Sequence, residues 1–124
     1  MIPTILLVDD EPQFERLVKQ RLRKKIKAGE FKLLFAKDGV EALKVLEAHQ
    51  EIEMVLTDIN MPNMDGLELA VYIRDSRRDV PVMLLTTETN PELIYQGNLA
   101  EIDGWLVKPF NLNSIVTRIK TIIS

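Results

Sequence analysis

The sequence predicts an α/β domain with a parallel sheet buried between two layers of helices. Short, unbroken apolar runs alternate with longer segments of helical spacing along the whole chain. A strand covered on both faces has no solvent side, so its residues are apolar throughout rather than alternately. Strict strand–helix alternation then implies right-handed crossovers and parallel neighbours.

The strand candidates, in order, are Thr4–Val8, Phe31–Phe35, Met54–Leu56, Pro81–Leu85 and Trp105–Val107. After the first comes a stripe of Phe14, Leu17, Val18, Leu22 and Ile26, opposite a charged face. Spacings of three and four place these on one side of a helix. Val40, Leu43 and Leu46 form the second stripe, and Leu67, Ala70 and Val71 the third. The segment from Pro91 to Ala100 is the weakest helix, because Gly97 interrupts it. Leu112, Ile115, Val116, Ile119 and Ile122 form the last stripe. Pro12 suits a first helical turn, and Gly29 suits a helix stop. Asp65-Gly66, Asn90-Pro91 and Asn111 read as caps.

At 124 residues the chain fits one domain, spanning 1–124. Its 46% hydrophobic and 28% charged content argues against disorder. The lack of cysteine excludes disulfides and thiolate metal sites, and a reducing, cytoplasmic setting is expected. No apolar run reaches the roughly 20 residues of a membrane span, and no secretory signal is visible. A net charge of −3 offers no general attraction to nucleic acid. The basic run from Lys19 to Lys27 reads as a solvated helix face, and His49 as a surface residue ending a helix.

Polar residues collect where the buried strands end. The first strand runs into Asp9-Asp10, the third into Asp58, the fourth into Thr86-Thr87 and the fifth into Lys108. In a parallel sheet these C-terminal ends share one edge, where open α/β sheets bind ligands. Two unit charges about 4 Å apart repel by about 4 kcal/mol at an effective dielectric near 20. Three such pairs approach the whole stability of a typical domain, so one acid is protonated or a cation sits among them. Oxygen-only ligands favour a hard ion such as Mg²⁺. A hydroxyl and an ammonium converging there suit phosphoryl oxygens. Asp58, central on the third strand, is the candidate nucleophile for an acyl phosphate.

These residues resemble the response-regulator receiver domains of two-component signalling, chemotaxis regulators among them. The pieces that carry the resemblance are Ile5–Pro12, Asp38–Leu43, Thr57–Leu67, the strand end at Thr86, and Val107-Lys-Pro-Phe110. The resemblance implies a flavodoxin-like fold of strand order 2-1-3-4-5. It implies that Asp58 is phosphorylated from a phosphohistidine on a histidine kinase or phosphotransfer protein. Metal would bind Asp10, Asp58 and the backbone carbonyl of Asn60, with Asp9 acting through water. Thr86 would contact the phosphoryl group and move on activation, and Lys108 would pair with it, aimed by a cis bond to Pro109. Asn60 and Glu88 would modulate phosphoryl lifetime. The implied readout is a downstream protein target or attached output domain, with phosphorylation-dependent dimerisation as one route. No direct nucleic-acid or membrane contact is implied.

Two departures stand out. Trp105 occupies the position where the family often has a rotating Tyr or Phe, and it reads equally as a switch or as a core or interface aromatic. Ala100-Glu-Ile-Asp-Gly104 replaces the family's common Gly-Ala pair. Two other functions remain open from the residues. One is a receiver-fold binding module that does not cycle phosphate. The other is a haloacid-dehalogenase-like phosphatase with an Asp nucleophile, against which the adjacent Asp9-Asp10 pair and the short chain argue.

Overall fold

The computed structural model describes residues 2–77, 79–87, 90–107 and 112–123, with backbone alone for 112, 113, 122 and 123. Strands β1 (Thr4–Val8), β2 (Lys32–Ala36), β3 (Ile52–Asp58), β4 (Val82–Thr86) and β5 (Gly104–Val107) form one parallel sheet, ordered β2-β1-β3-β4-β5. The helices are α1 (Pro12–Arg21), α2 (Arg23–Lys27), α3 (Gly39–Ala48), α4 (Gly66–Ser76), α5 (Pro91–Leu99) and α6 (Leu112–Ile123). This is the flavodoxin-like, doubly wound arrangement expected. Strand order reverses between β1 and β3, so the crevice at their C-terminal ends is the ligand position of such sheets.

Alternation along each strand feeds two cores. Ile5, Leu7, Met54, Leu56, Met83 and Leu85 pack against Val18, Leu22, Ile115, Val116 and Ile119 of the α1, α2 and α6 layer. Leu6, Val8, Val55 and Val82 face the other way, onto Ala42, Leu46, Leu69, Ala70 and Ile73 of α3 and α4. Burying each such Leu, Ile or Val contributes roughly 1.5–3 kcal/mol, so neither face of the sheet can be uncovered without unfolding.

Several expectations need correction. The first helix is interrupted at Leu22 (φ −99°, ψ 6°), yet Leu22 N–H still donates to Val18 O and Ile26 N–H to Leu22 O, so the two pieces stay linked. Leu17, Val40 and Val71 are exposed, not core. The buried face of α4 is Gly66, Leu69, Ala70 and Ile73. Neighbouring helix positions differ by only about 100°, so periodicity leaves the rotation of a stripe uncertain by one residue. Strand β3 begins at Ile52, two residues before the apolar run that announces it, because Ile52 pairs with Thr4 while Glu53 points outward. Strand β2 runs one residue later than expected, with Phe31 buried just ahead of it.

The caps behave as expected where they are described. Gly29 adopts φ +76° and closes α2 by donating its N–H to Ile26 O at 3.0 Å; Glu30 N–H reaches Lys25 O at 3.1 Å, completing a two-bond C-terminal motif. Asp65 and Asn90 accept from Glu68 N–H and Leu93 N–H, at 2.8 and 2.9 Å. Asn111 lies outside the described residues. The basic run faces solvent: Arg21, Arg23, Lys24 and Lys27 are exposed, and Lys19 pairs with Glu15 while lying over the Phe35 ring. His49 caps the end of α3 and meets Glu51 at 2.8 Å.

Arg77, just past α4, ties that helix to the end of α3. Its guanidinium donates to the carbonyls of Leu46, His49, Gln50 and Ile52 at 2.9–3.4 Å. Charged hydrogen bonds contribute about 1.5–3 kcal/mol in the favourable case. Arg77→Ala is therefore expected to lower unfolding free energy by about 2 kcal/mol in urea denaturation. Arg77→Lys should recover less than half of that loss, because an ammonium lacks the planar fork that serves carbonyls on several sides.

Candidate functional site

The C-terminal ends of β1 and β3 bring three carboxylates together. Oxygens of Asp9, Asp10 and Asp58 all lie within 4.8 Å of one another, with Asp9 and Asp58 buried and Asp10 exposed. Asp9 follows β1 and stays in the sheet through its N–H, which donates to Ala36 O at 3.0 Å. Its Oδ1 accepts from Glu11 N–H at 2.8 Å, so it also turns the chain into α1, and the simple capping role is present alongside the cluster. Asp58 ends β3; its Oδ1 accepts from Ile59 N–H at 2.9 Å, which fixes the carboxylate in the crevice.

The backbone behind Asp58 is held tightly. Thr57 Oγ1 donates to Asp58 O at 2.9 Å, and Gly66 N–H donates to Ile59 O at 2.9 Å. A Cβ on Gly66 would strike the Asp58 carbonyl oxygen. Only a residue without a side chain lets α4 start this close to the strand end.

Two small cavities flank the carboxylates. One of about 120 Å³ is lined by Asp9, Asp10, Glu15 and Glu41 beside Phe35 and Lys37. The other, about 250 Å³, lies between Asn60, Thr86 and Thr87 and the first turns of α5, where Asn90, Glu92 and Gln96 line it. The donor set is hard oxygen, two-thirds buried, with one ligand open to water. That composition fits a dication that keeps part of its hydration shell, as Mg²⁺ does, and gives the mutual repulsion of the acids a counter-charge.

Residues 5–120 match the family model described as the response regulator receiver domain. The chain belongs to this family. Among its relatives is the chemotaxis protein CheY homolog of Campylobacter jejuni, 30% identical over 121 residues that cover 96% of this chain and 91% of the relative. Among solved structures, Vibrio cholerae chemotaxis protein CheY4 matches with TM-score 0.87 and 31% identity, covering 99% of this chain and all of that one. The response regulator TrrA of Thermotoga maritima, solved in complex with Mg²⁺-BeF, matches with TM-score 0.81 and 31% identity, covering 98% of this chain and all of that one. Receiver domains are signalling modules of two-component systems rather than enzymes of the usual kind. They accept a phosphoryl group, bind Mg²⁺ at an acidic pocket, and work with histidine kinases and downstream targets. Among the described residues no helix is long and apolar enough to cross a membrane.

In this receiver domain Thr86 closes β4, buried, and pairs in register with Val107 of β5. Asn60 is exposed just after the acidic strand end. Lys108, Pro109 and Glu88 lie outside the described residues. Trp105 is partly buried on β5, opposite Leu84, and its indole crosses α5 at Gly97. A Cβ on Gly97 would come within 2.5 Å of Trp105 Cζ2. Gly97, which weakens the helix in sequence terms, is thus the clearance for the large indole.

The sequence assigns no role to Asp38 or Asn63, although both sit in the motifs that carry the resemblance. Asp38 is buried, caps α3 through Glu41 N–H at 2.8 Å, and accepts from Asn63 Nδ2 at 2.9 Å. These hydrogen bonds, the backbone one first, hold its carboxyl below the usual range. The available signal was an aspartate directly ahead of a helix, which announces a cap but not a partner 25 residues away.

Proposed function

We propose that Asp58 accepts a phosphoryl group from a phosphohistidine donor, with Mg²⁺ held by Asp10, Asp58 and the Asn60 carbonyl and by Asp9 through water. The observation that carries this is the convergence of the Asp9, Asp10 and Asp58 carboxylates at the strand-order reversal, two of them buried. An Asp58 carboxylate oxygen forms the new bond to phosphorus as the phosphorus–nitrogen bond to imidazole breaks, and the imidazole leaves with that electron pair. The bound ion supplies charge neutralisation for the phosphoryl oxygens.

The chain's own residues do the positioning. Ile59 N–H orients the Asp58 carboxylate, and the Thr86 hydroxyl, at the neighbouring strand end, contacts the phosphoryl group. Lys108 follows Val107, the register partner of Thr86, and pairs with the same group. Asn60 and Glu88 modulate how long the phosphoryl group survives. The signal is read out where Thr86 and Trp105 adjoin α5, whose Ile94, Tyr95 and Leu99 are exposed together with Val107 of β5. This apolar face receives a downstream protein, an attached output domain or a second phosphorylated copy.

Incubation with a small-molecule phosphodonor, followed by intact mass, tests this reading. One phosphoryl addition is expected with Mg²⁺, none with chelator, and none in Asp58→Ala. Uptake by Asp58→Ala at the wild-type level would refute the assignment. No addition to the wild type under any condition would point to a binding module that does not cycle phosphate.

A further inference from the structure

The segment from Asn60 to Asp65 links the acidic strand end to α4 and carries the Asn60 carbonyl. Its middle is anchored to a different part of the molecule. Asn63 adopts φ +69°, in the left-handed region, and its Nδ2 donates to Asp38 Oδ2 at 2.9 Å. Asn63 tolerates that backbone better than most residues with a Cβ, but the conformation still needs support from outside the loop. Asp38 supplies it while its other oxygen caps α3. Next to it, Met64 lies over Gly39, where a Cβ would come within 2.7 Å of Met64 Cγ. Two adjacent loop residues thus rest on two adjacent residues at the start of α3.

We infer that Asp38 and Asn63 are a positioning pair: Asp38, from the start of α3, holds the β3–α4 loop in the one conformation that keeps the Asn60 carbonyl available to a divalent ion. Neither side chain belongs to the three-carboxylate cluster, so the pair acts through the loop and not as a ligand. The inference rests on the metal role proposed for Asn60. A loop fixed near Asp58 by Gly66 alone could pivot between Asn60 and Asp65. The Asp38–Asn63 bond removes that freedom before metal arrives, so binding does not have to order the loop. Asp38 is anionic at neutral pH, as an aspartate ordinarily is, so its bond from Asn63 is charge-assisted.

Two substitutions remove the contact from opposite sides while preserving local structure. Asn63→Gly keeps the left-handed backbone, and Asp38→Ser keeps a capping oxygen for α3. Mg²⁺ affinity is read by calorimetric titration, the fold by urea denaturation, and loop order by amide hydrogen exchange of residues 60–65 without metal. Each variant is expected to remain folded, to exchange faster in the loop, and to bind Mg²⁺ about three- to tenfold more weakly. This lies at or below the 10–100-fold typical when partners of metal ligands are removed. The double variant should be no weaker than the worse single one, since both lose the same bond. Folded variants with wild-type Mg²⁺ affinity would overturn the inference and leave the pair as a stabilising contact only. A wild type that binds no Mg²⁺ would overturn the metal reading itself, and this inference with it. The two failures are therefore distinguishable.

Discussion

Asp58→Asn is expected to lose the stabilisation that Mg²⁺ gives the wild type, and in chelator to unfold at higher urea than the wild type does. A ligand that binds only the folded state adds RT ln(1 + [L]/Kd), about 2.7 kcal/mol at one hundred times Kd. Asparagine keeps an oxygen for Ile59 N–H, so the local hydrogen bond seen at 2.9 Å survives. It removes one negative charge from a cluster whose oxygens lie within 4.8 Å. Each pair costs up to about 3–4 kcal/mol at an effective dielectric near 20. Two pairs disappear with the substitution, and solvent reaching the exposed Asp10 screens part of their repulsion. A gain of about 2 kcal/mol in chelator is the expected result. Urea denaturation of both proteins, with Mg²⁺ and with chelator, measures all four values. Equal Mg²⁺ stabilisation of wild type and variant would remove Asp58 from the metal site.

Gly66→Ala is expected to cost the fold about 3 kcal/mol, although alanine is the better helix former by about 1 kcal/mol. The new methyl would meet the carbonyl oxygen of Asp58. A backbone atom in the central sheet cannot rotate away, so α4 must slide outward and thin its contacts at Leu69, Ala70 and Ile73, which are fully buried. Overpacking of this kind commonly costs 1–3 kcal/mol, occasionally more. Gly39→Ala is the informative comparison. Its close neighbours are Met64 Cγ and Sδ, which can change rotamer, and Met64 Cβ, which moves only with the β3–α4 loop backbone. Its cost should therefore fall below that of Gly66→Ala, at about 1–2 kcal/mol. The two urea midpoints decide the matter: equal losses would mean that α4 is not fixed by its approach to Asp58. The folded fraction of Gly66→Ala should also take up phosphoryl groups at least about tenfold more slowly, since a shift of roughly 1 Å can cost a hundredfold in a positioned reaction.

The convergence of the three carboxylates was legible in the sequence. Buried parallel strands announce themselves as continuous apolar runs; Asp9-Asp10 and Thr86 stand immediately after such runs, and Asp58 one residue beyond its own. Parallel order alone then gathers them on one edge, because every strand ends on the same side. Helix faces were less legible. Leu17, Val40 and Val71 are as apolar as their buried neighbours, and their exposure follows from how each helix is rolled against the sheet. Gly97 reads as a helix weakness along the chain, yet across space it makes room for Trp105.

The sequence by itself therefore determined the class of fold, the strand order through its family motifs, and the acids at the strand ends. Each of these depends on local pattern and on connection rules that act between consecutive elements. Tertiary structure alone decided which helix faces are covered, why Gly66 and Gly97 must lack side chains, and that Asp38 reaches Asn63 across 25 residues. Those depend on distances between elements remote in sequence. Such distances are set by packing of the whole core and leave no periodic mark along the chain.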